Sequence, residues 1–86
     1  MKKVVIYSTE LCPFCWMAKR LFAEKEVGYH EIDIIRNPEA RDEMVTKSGG
    51  RTSVPQIFIG EIHVGGSDEL HDLEAGGKLD NLLGLD

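Results

Sequence analysis

Short apolar runs alternate with amphipathic stretches along this chain, and the change of period predicts its elements. Val4-Val5-Ile6-Tyr7 is β-branched and aromatic, and Lys3 to Tyr7 reads as a buried strand ending at the turn-forming Ser8-Thr9-Glu10. From Phe14 to Glu26 the apolar residues Trp16, Met17, Ala18, Leu21, Phe22 and Ala23 recur at helical spacing. Lys19, Arg20, Glu24 and Lys25 fill the other face. Pro13 suits the first helical turn, where its missing N–H costs nothing, and Gly28 supplies the stop. Tyr29 to Ile35 reads as a second strand, with Glu31 and Asp33 alternating with Ile32 and Ile34. A crossover helix between two strands implies parallel pairing and a right-handed connection.

The second half changes character. Asn37-Pro38 opens a helix over roughly Pro38 to Lys47, with a thin apolar face of Ala40, Met44 and Val45, and Ser48-Gly49-Gly50 ends it. Gln56-Ile57-Phe58-Ile59 and Ile62-His63-Val64 flank the two-residue turn Gly60-Glu61, which predicts an antiparallel hairpin. After Gly65-Gly66, Ser67 is placed to cap a third helix running through Leu70 and Leu73 to about Ala75. Asp68 and Glu69 sit favourably in its first turn. Gly76-Gly77 separates a last short helix, roughly Lys78 to Leu83, with Leu79, Leu82 and Leu83 on its apolar side.

Size and charge narrow the possibilities. With 86 residues and 42% hydrophobic content, the chain holds one small core and is expected to be a single domain over residues 1–86. No apolar run reaches signal-peptide or membrane-spanning length, so no membrane association is expected. A net charge of -5 with ten dispersed Lys and Arg residues disfavours nucleic acid as a partner. The default is a soluble cytoplasmic protein, expected to be a monomer.

The candidate chemistry lies in Cys12-Pro13-Phe14-Cys15, which contains both cysteines of the chain. Two thiols this close form a tight, reversible disulfide, and the loop they close is too short to brace a fold, so the pair reads as functional rather than structural. Cys12 falls at the start of the first helix, where unpaired N–H groups and the helix dipole favour an anion. It is the predicted nucleophile, and Cys15, one turn inward, is the more buried resolving thiol. Half of a zinc site looks the same, but zinc needs two more ligands, and His30, His63 and His71 lack the spacing of a finger or ribbon, so no metal site is expected. Phe14 has two readings, a core aromatic or a residue shaping the substrate's approach. Lys19 and Arg20 are either solvated or a source of positive potential near Cys12. The order strand, helix, strand, helix, hairpin, helix, helix, with the dithiol between the first strand and first helix, is an α/β arrangement. It corresponds to a thioredoxin-like fold, a small mixed four-stranded sheet flanked by helices.

Taken together, Cys12-Pro13-Phe14-Cys15, Ser53-Val54-Pro55-Gln56-Ile57-Phe58 and Gly65-Gly66-Ser67-Asp68 resemble the dithiol glutaredoxins, over essentially the whole chain. The resemblance implies a glutathione-dependent thiol-disulfide oxidoreductase that reduces protein disulfides and glutathione mixed disulfides, with glutathione as reducing cosubstrate. It implies a cis bond at Val54-Pro55 and glutathione lying extended along Val54, its γ-glutamyl end held by Gly66, Ser67 and Asp68. From the residues alone, Ser67 and Asp68 read equally as capping residues. Many family members carry lysine where this chain has Thr9, which removes one contact to the glycyl carboxylate, and Arg51 is the candidate replacement. Phe14 stands where tyrosine is commoner, and Ser53 where threonine is. Two other readings use the same thiols: an iron-sulfur cluster carrier holding its cluster through Cys12 and glutathione, and a dithiol redoxin reduced by a thioredoxin reductase.

Overall fold

The sheet is built on its first strand. In the computed structural model, which describes residues 1–85, β1 (Val4–Ser8) pairs in parallel with β2 (His30–Asp33) and antiparallel with β3 (Gln56–Ile59). β4 (Ile62–Gly65) completes the hairpin, giving the order β2-β1-β3-β4. Four helices flank it: α1 (Pro13–Glu24), α2 (Pro38–Lys47), α3 (Ser67–Ala75) and α4 (Leu79–Leu83). This is the thioredoxin-like, mixed four-stranded arrangement implied by the order of elements.

Both faces of the sheet are covered, which is why β1 and β3 read as continuous apolar runs rather than alternating ones. Val4, Ile6, Ile57 and Ile59 pack on one face against Ala18, Phe22, Leu70, Leu79 and Leu83 from α1, α3 and α4. Tyr7 and Phe58 face the other way, onto Met44 of α2 and Ile34. Met44 is the one fully buried side chain of α2. The thin apolar face is supplemented by polar contact: the Tyr7 hydroxyl, at the bottom of this layer, donates to Glu43 at 3.0 Å, and Lys47 pairs with Glu43 at 2.8 Å.

Several boundaries differ from the expectation, each for a local reason. β1 runs one residue further, to Ser8, whose carbonyl accepts Ile34 N–H and whose hydroxyl donates to Glu31 at 2.6 Å. β2 stops at Asp33 rather than Ile35 because the Asp33 carboxylate accepts the N–H groups of Ile35 and Arg36, at 2.8 and 3.1 Å, and turns the chain. Gly66, not Ser67, caps α3: Gly66 is extended, and Ser67 is already helical and buried. Lys78 is the cap of α4 rather than part of it. On α1 the buried face is Cys15, Ala18, Leu21 and Phe22. Trp16 and Met17, expected in the core, are 59% and 48% exposed, and Ala23 also faces solvent.

The end of α1 is the most instructive difference. Gly28 was the expected stop, yet the helix ends at Glu24 and Glu26 takes a left-handed conformation, φ 58°. Glu26 N–H bonds Ala23 O at 3.0 Å and Val27 N–H bonds Phe22 O at 2.9 Å, the paired closure of a Schellman cap, with Val27 buried. The other helices close by the same pair of bonds, with Gly49, Gly77 and Gly84 at the equivalent left-handed position. Only α1 places a side chain there, and an L-residue in that region is disfavoured by about 1–2 kcal/mol. Because Glu26 is exposed, Glu26→Gly is expected to stabilise the fold by about 0.5–1 kcal/mol, net of the entropy that glycine adds to the unfolded chain. An unchanged or lowered urea midpoint would refute this.

Candidate active site

Cys12 closes the loop that leaves β1, and its backbone is extended at φ −122° and ψ 103° while the next residue begins α1. Its Sγ accepts the backbone N–H of Cys15 at 3.1 Å, and its carbonyl accepts Trp16 N–H at 3.1 Å. The sulfur therefore takes the position that a serine or aspartate oxygen occupies in an ordinary N-cap. Pro13 fills the first helical position, and no acidic side chain stands in the first turn to compete for its amides. The Cys12 thiol also faces the Val54 carbonyl, at 3.8 Å.

The two thiols have different surroundings. Cys12 retains 7% exposure at the surface, and Cys15 is fully buried. Burial pushes the Cys15 thiol up to about 12, and its hydrogen bond with Cys12 adds to the rise, while the Thr9 backbone and Lys19 pull weakly the other way. Lys19 is neither free nor merely solvated: it bonds Glu31 at 2.8 Å, and that bond holds Glu31 below the usual carboxylate range. Arg20 points outward and pairs with Glu24.

Beside the thiols lies a cavity of about 200 Å³ lined by Phe14, Arg51, Ser53, Val54, Pro55, Gly66, Ser67 and Asp68, together with Glu69. All eight residues singled out as binding candidates thus share one groove. The Val54–Pro55 peptide is cis. Phe14 is 55% exposed, so it is a rim residue and not a core aromatic. Ser67 lines the wall, with its hydroxyl 3.3 Å from His71 Nδ1, and that nitrogen donates to the Ser67 carbonyl at 2.8 Å.

Glu69 organises one end of this groove, and the sequence reading gave it only a dipole role. Its Oε1 accepts Gly66 N–H at 2.7 Å and pairs with Arg51 Nη1 at 3.1 Å. The Gly66 amide, and to a lesser degree Arg51, hold the Glu69 carboxyl below its ordinary range. A side chain on Gly65, at φ 113°, would collide with Glu69 Oε1 and crowd Arg51 Nη1, so this corner requires glycine. The spacing from Gly66 to Glu69 is that of half a capping box, the sequence signal for this bond. The Arg51 guanidinium accordingly sits at the Gly65–Gly66 end of the groove. Gln56 and His63 form a further unanticipated pair behind the groove, with His63 Nε2 2.7 Å from Gln56 Oε1.

Comparison with known proteins gives a consistent family. The glutaredoxin family model matches residues 4–64. A glutaredoxin of Pseudomonas aeruginosa is 54% identical over 83 residues, covering 96% of this chain and 98% of that protein. The solution structure of a glutaredoxin from Brucella melitensis superposes with a TM-score of 0.84 at 50% identity, covering 99% of this chain and 91% of the other. A crystal structure of a buckwheat glutaredoxin–glutathione complex superposes with a TM-score of 0.87 at 27% identity, covering 96% and 77%.

The contrast between the thiols is testable through pH. With iodoacetamide between about pH 7 and 9, mass spectrometry should find Cys12 carboxamidomethylated while Cys15 remains protected; equal labelling would contradict the geometry. The stability effect has a definite sign. An unfolded cysteine ionises near about 8.5, below the folded value of about 12. The stability Cys15 contributes is therefore complete below about pH 8.5 and is lost as pH rises towards the folded value. The gap in urea midpoint between wild type and Cys15→Ala should narrow over that range.

Proposed function

This chain belongs to the glutaredoxin family and is a glutathione-dependent thiol-disulfide oxidoreductase, and on that premise we propose that Cys12 is its nucleophile and Cys15 its resolving thiol. The observation that carries the assignment is the Cys12 sulfur at the helix cap, 3.1 Å from the Cys15 amide, in a residue that keeps 7% exposure where Cys15 keeps none. With a glutathione mixed disulfide, the Cys12 thiolate attacks the glutathione sulfur and expels the substrate thiolate, forming a Cys12–glutathione disulfide. A second glutathione thiolate attacks the glutathione sulfur of that bond, releasing oxidised glutathione and returning Cys12 as thiolate. With a protein disulfide, Cys12 forms a mixed disulfide, and Cys15, losing its proton as it attacks Cys12 Sγ, releases the reduced protein and leaves an intramolecular disulfide for two glutathiones to reduce. The N–H that caps against Cys12 holds the charge whenever that sulfur is the leaving group.

Glutathione is assigned to the groove, its backbone against Val54 and its γ-glutamyl end at Gly66, Ser67 and Asp68. The first turn of α3 suits the α-carboxylate and Asp68 suits the α-ammonium. Arg51 is reassigned to this same end, because Glu69 holds it beside Gly66. The partners proposed are disulfide-containing or glutathionylated proteins. Leu11, Phe14, Trp16 and Met17 are exposed around Cys12, and a protein substrate whose disulfide reaches that sulfur must cover part of this apolar rim. A cytoplasmic, monomeric protein of one domain is the remaining part of the reading. It is supported by a dithiol used for chemistry rather than bracing, and by the lack of any helix long and apolar enough to cross a membrane among the described residues.

In a glutathione-coupled assay on a small mixed disulfide, Cys12→Ser should fall to background and Cys15→Ser should keep turning over, while reduction of a protein disulfide should require both thiols. Activity surviving in Cys12→Ser would reverse the assignment. Trp16→Ala should change stability by no more than about 0.5 kcal/mol, because the side chain is exposed. Its KM for a glutathionylated protein should rise more than its KM for a small mixed disulfide; equal effects on both would remove Trp16 from the rim.

A further inference from the structure

Gln56 is fully buried, and every polar atom of its amide is engaged. Nε2 donates to the Ser53 carbonyl at 3.0 Å and to Ser53 Oγ at 3.3 Å. A carbonyl oxygen can only accept, so the orientation of the amide is fixed and Oε1 is the atom that faces His63. His63 Nε2, 2.7 Å away, must therefore carry the hydrogen and donate it. The imidazole is held in place by stacking on Phe58 of the paired strand, centroids 4.8 Å apart at 28°. Three residues from β4, β3 and the loop before β3 are thus connected in series, and the last of them, Ser53, lines the groove beside Val54 and Pro55.

We propose that His63 is a positioning residue for the glutathione site: through Gln56 it fixes Ser53, and with it the Val54 stretch against which glutathione lies. His63 itself does not line the groove. A leucine at position 56 would fill similar volume without burying an amide, but it would leave the Ser53 carbonyl without this donor. An amide buried at such cost is justified by what it holds. Burial, and then Arg51, push the His63 pKa down, with Glu69 opposing. Asp72 and Lys78, with Glu69, line a separate cavity that His63 also borders. The ring therefore stays neutral near pH 7, where its single hydrogen serves Gln56.

The inference rests on the proposed glutathione site, and the experiment separates the two. Wild type, His63→Phe and His63→Gln are compared by kinetics on a glutathionylated peptide with glutathione as reductant, and by amide hydrogen exchange over residues 52–54 without ligand. His63→Phe keeps the ring on Phe58 and removes the donor; His63→Gln restores a donor at similar reach. His63→Phe should raise KM about three- to tenfold with kcat within about twofold, and should speed exchange at 52–54, both reverting towards wild type in His63→Gln. Gln56→Met, which interrupts the series at its middle, should raise KM similarly and add nothing to His63→Phe. An unchanged KM in His63→Phe, or an equal rise in His63→Phe and His63→Gln, overturns the proposal. Wild type without glutathione-dependent turnover would sink the functional reading instead, and the exchange comparison would still decide whether His63 holds Ser53.

Discussion

The bond from Cys15 N–H to Cys12 Sγ, 3.1 Å long, serves two purposes with one sulfur. The first turn of any helix leaves backbone donors without internal partners, and most helices satisfy one of them with a side-chain oxygen at the cap. In α1 the cap atom is the sulfur proposed as the nucleophile, and the absence of acidic residues in the first turn leaves it no competitor. Pro13 removes one donor and presets the entry angle. Three positions on, the same helical geometry carries Cys15 into the core, where burial keeps its proton on. The short spacing thus makes one thiol a cap and the other a core residue, and their difference in chemistry follows from that placement.

The position of this cap is a consequence of sheet topology. β1 and β3 run antiparallel with Tyr7 opposite Gln56, so the loop leaving β1 and the loop entering β3 meet at one edge. β3 and β4 are antiparallel with Ile57 opposite Gly65, so β4 delivers Gly66 and the start of α3 to that edge as well. Parallel pairing of Ser8 with Asp33 brings the end of β2 there too, and Arg36 reaches Glu10. Four chain segments distant in sequence meet at this end of the sheet because β1 sets the registers of β2 and β3, and β3 in turn sets that of β4. Successive side chains of β1 and β3 enter two different apolar layers, Ile6 and Ile57 on one face and Tyr7 and Phe58 on the other, so a one-residue slip would exchange the two cores.

Much of this was legible in the residues. The element order, the span of α2 from Pro38 to Lys47 and the hairpin turn at Gly60-Glu61 follow from breakers and periodicity, and seven of the eight groove candidates, all but Arg51, follow from three short motifs read through a family resemblance. What was not legible depended on tertiary context. Periodicity assigned Trp16 and Met17 to the core because helical spacing identifies an apolar face but cannot say that a reactive rim shares the helix with it. Cys15 occupies the inward position instead, a residue seldom counted when apolar faces are drawn. Glycine is the usual marker of a left-handed cap, and Glu26 carries no such mark. The Gln56–His63 pair and the Arg51–Glu69 pair exist only once β3, β4 and α3 are packed together, whereas the bond from Gly66 to Glu69 is local and signalled by its capping-box spacing.

The electrostatics of the groove favour one kind of ligand end over another. The Arg51–Glu69 pair is roughly half exposed, so its direct contribution to stability is small. Its effect is on shape, since Glu69 is bonded to Gly66 at the same time and the three groups are fixed before any ligand arrives. Arg51 and Glu69 cancel, and Asp68 leaves this end with one net negative charge, so a simple anion gains little there. The proposed γ-glutamyl end of glutathione carries both an ammonium, assigned beside Asp68, and a carboxylate, assigned between the α3 amides and Arg51. An ordinary peptide bond in its place would lack one of the two charges and leave Asp68 or the α3 amides unanswered, so discrimination at this end comes from paired opposite charges more than from attraction to either one.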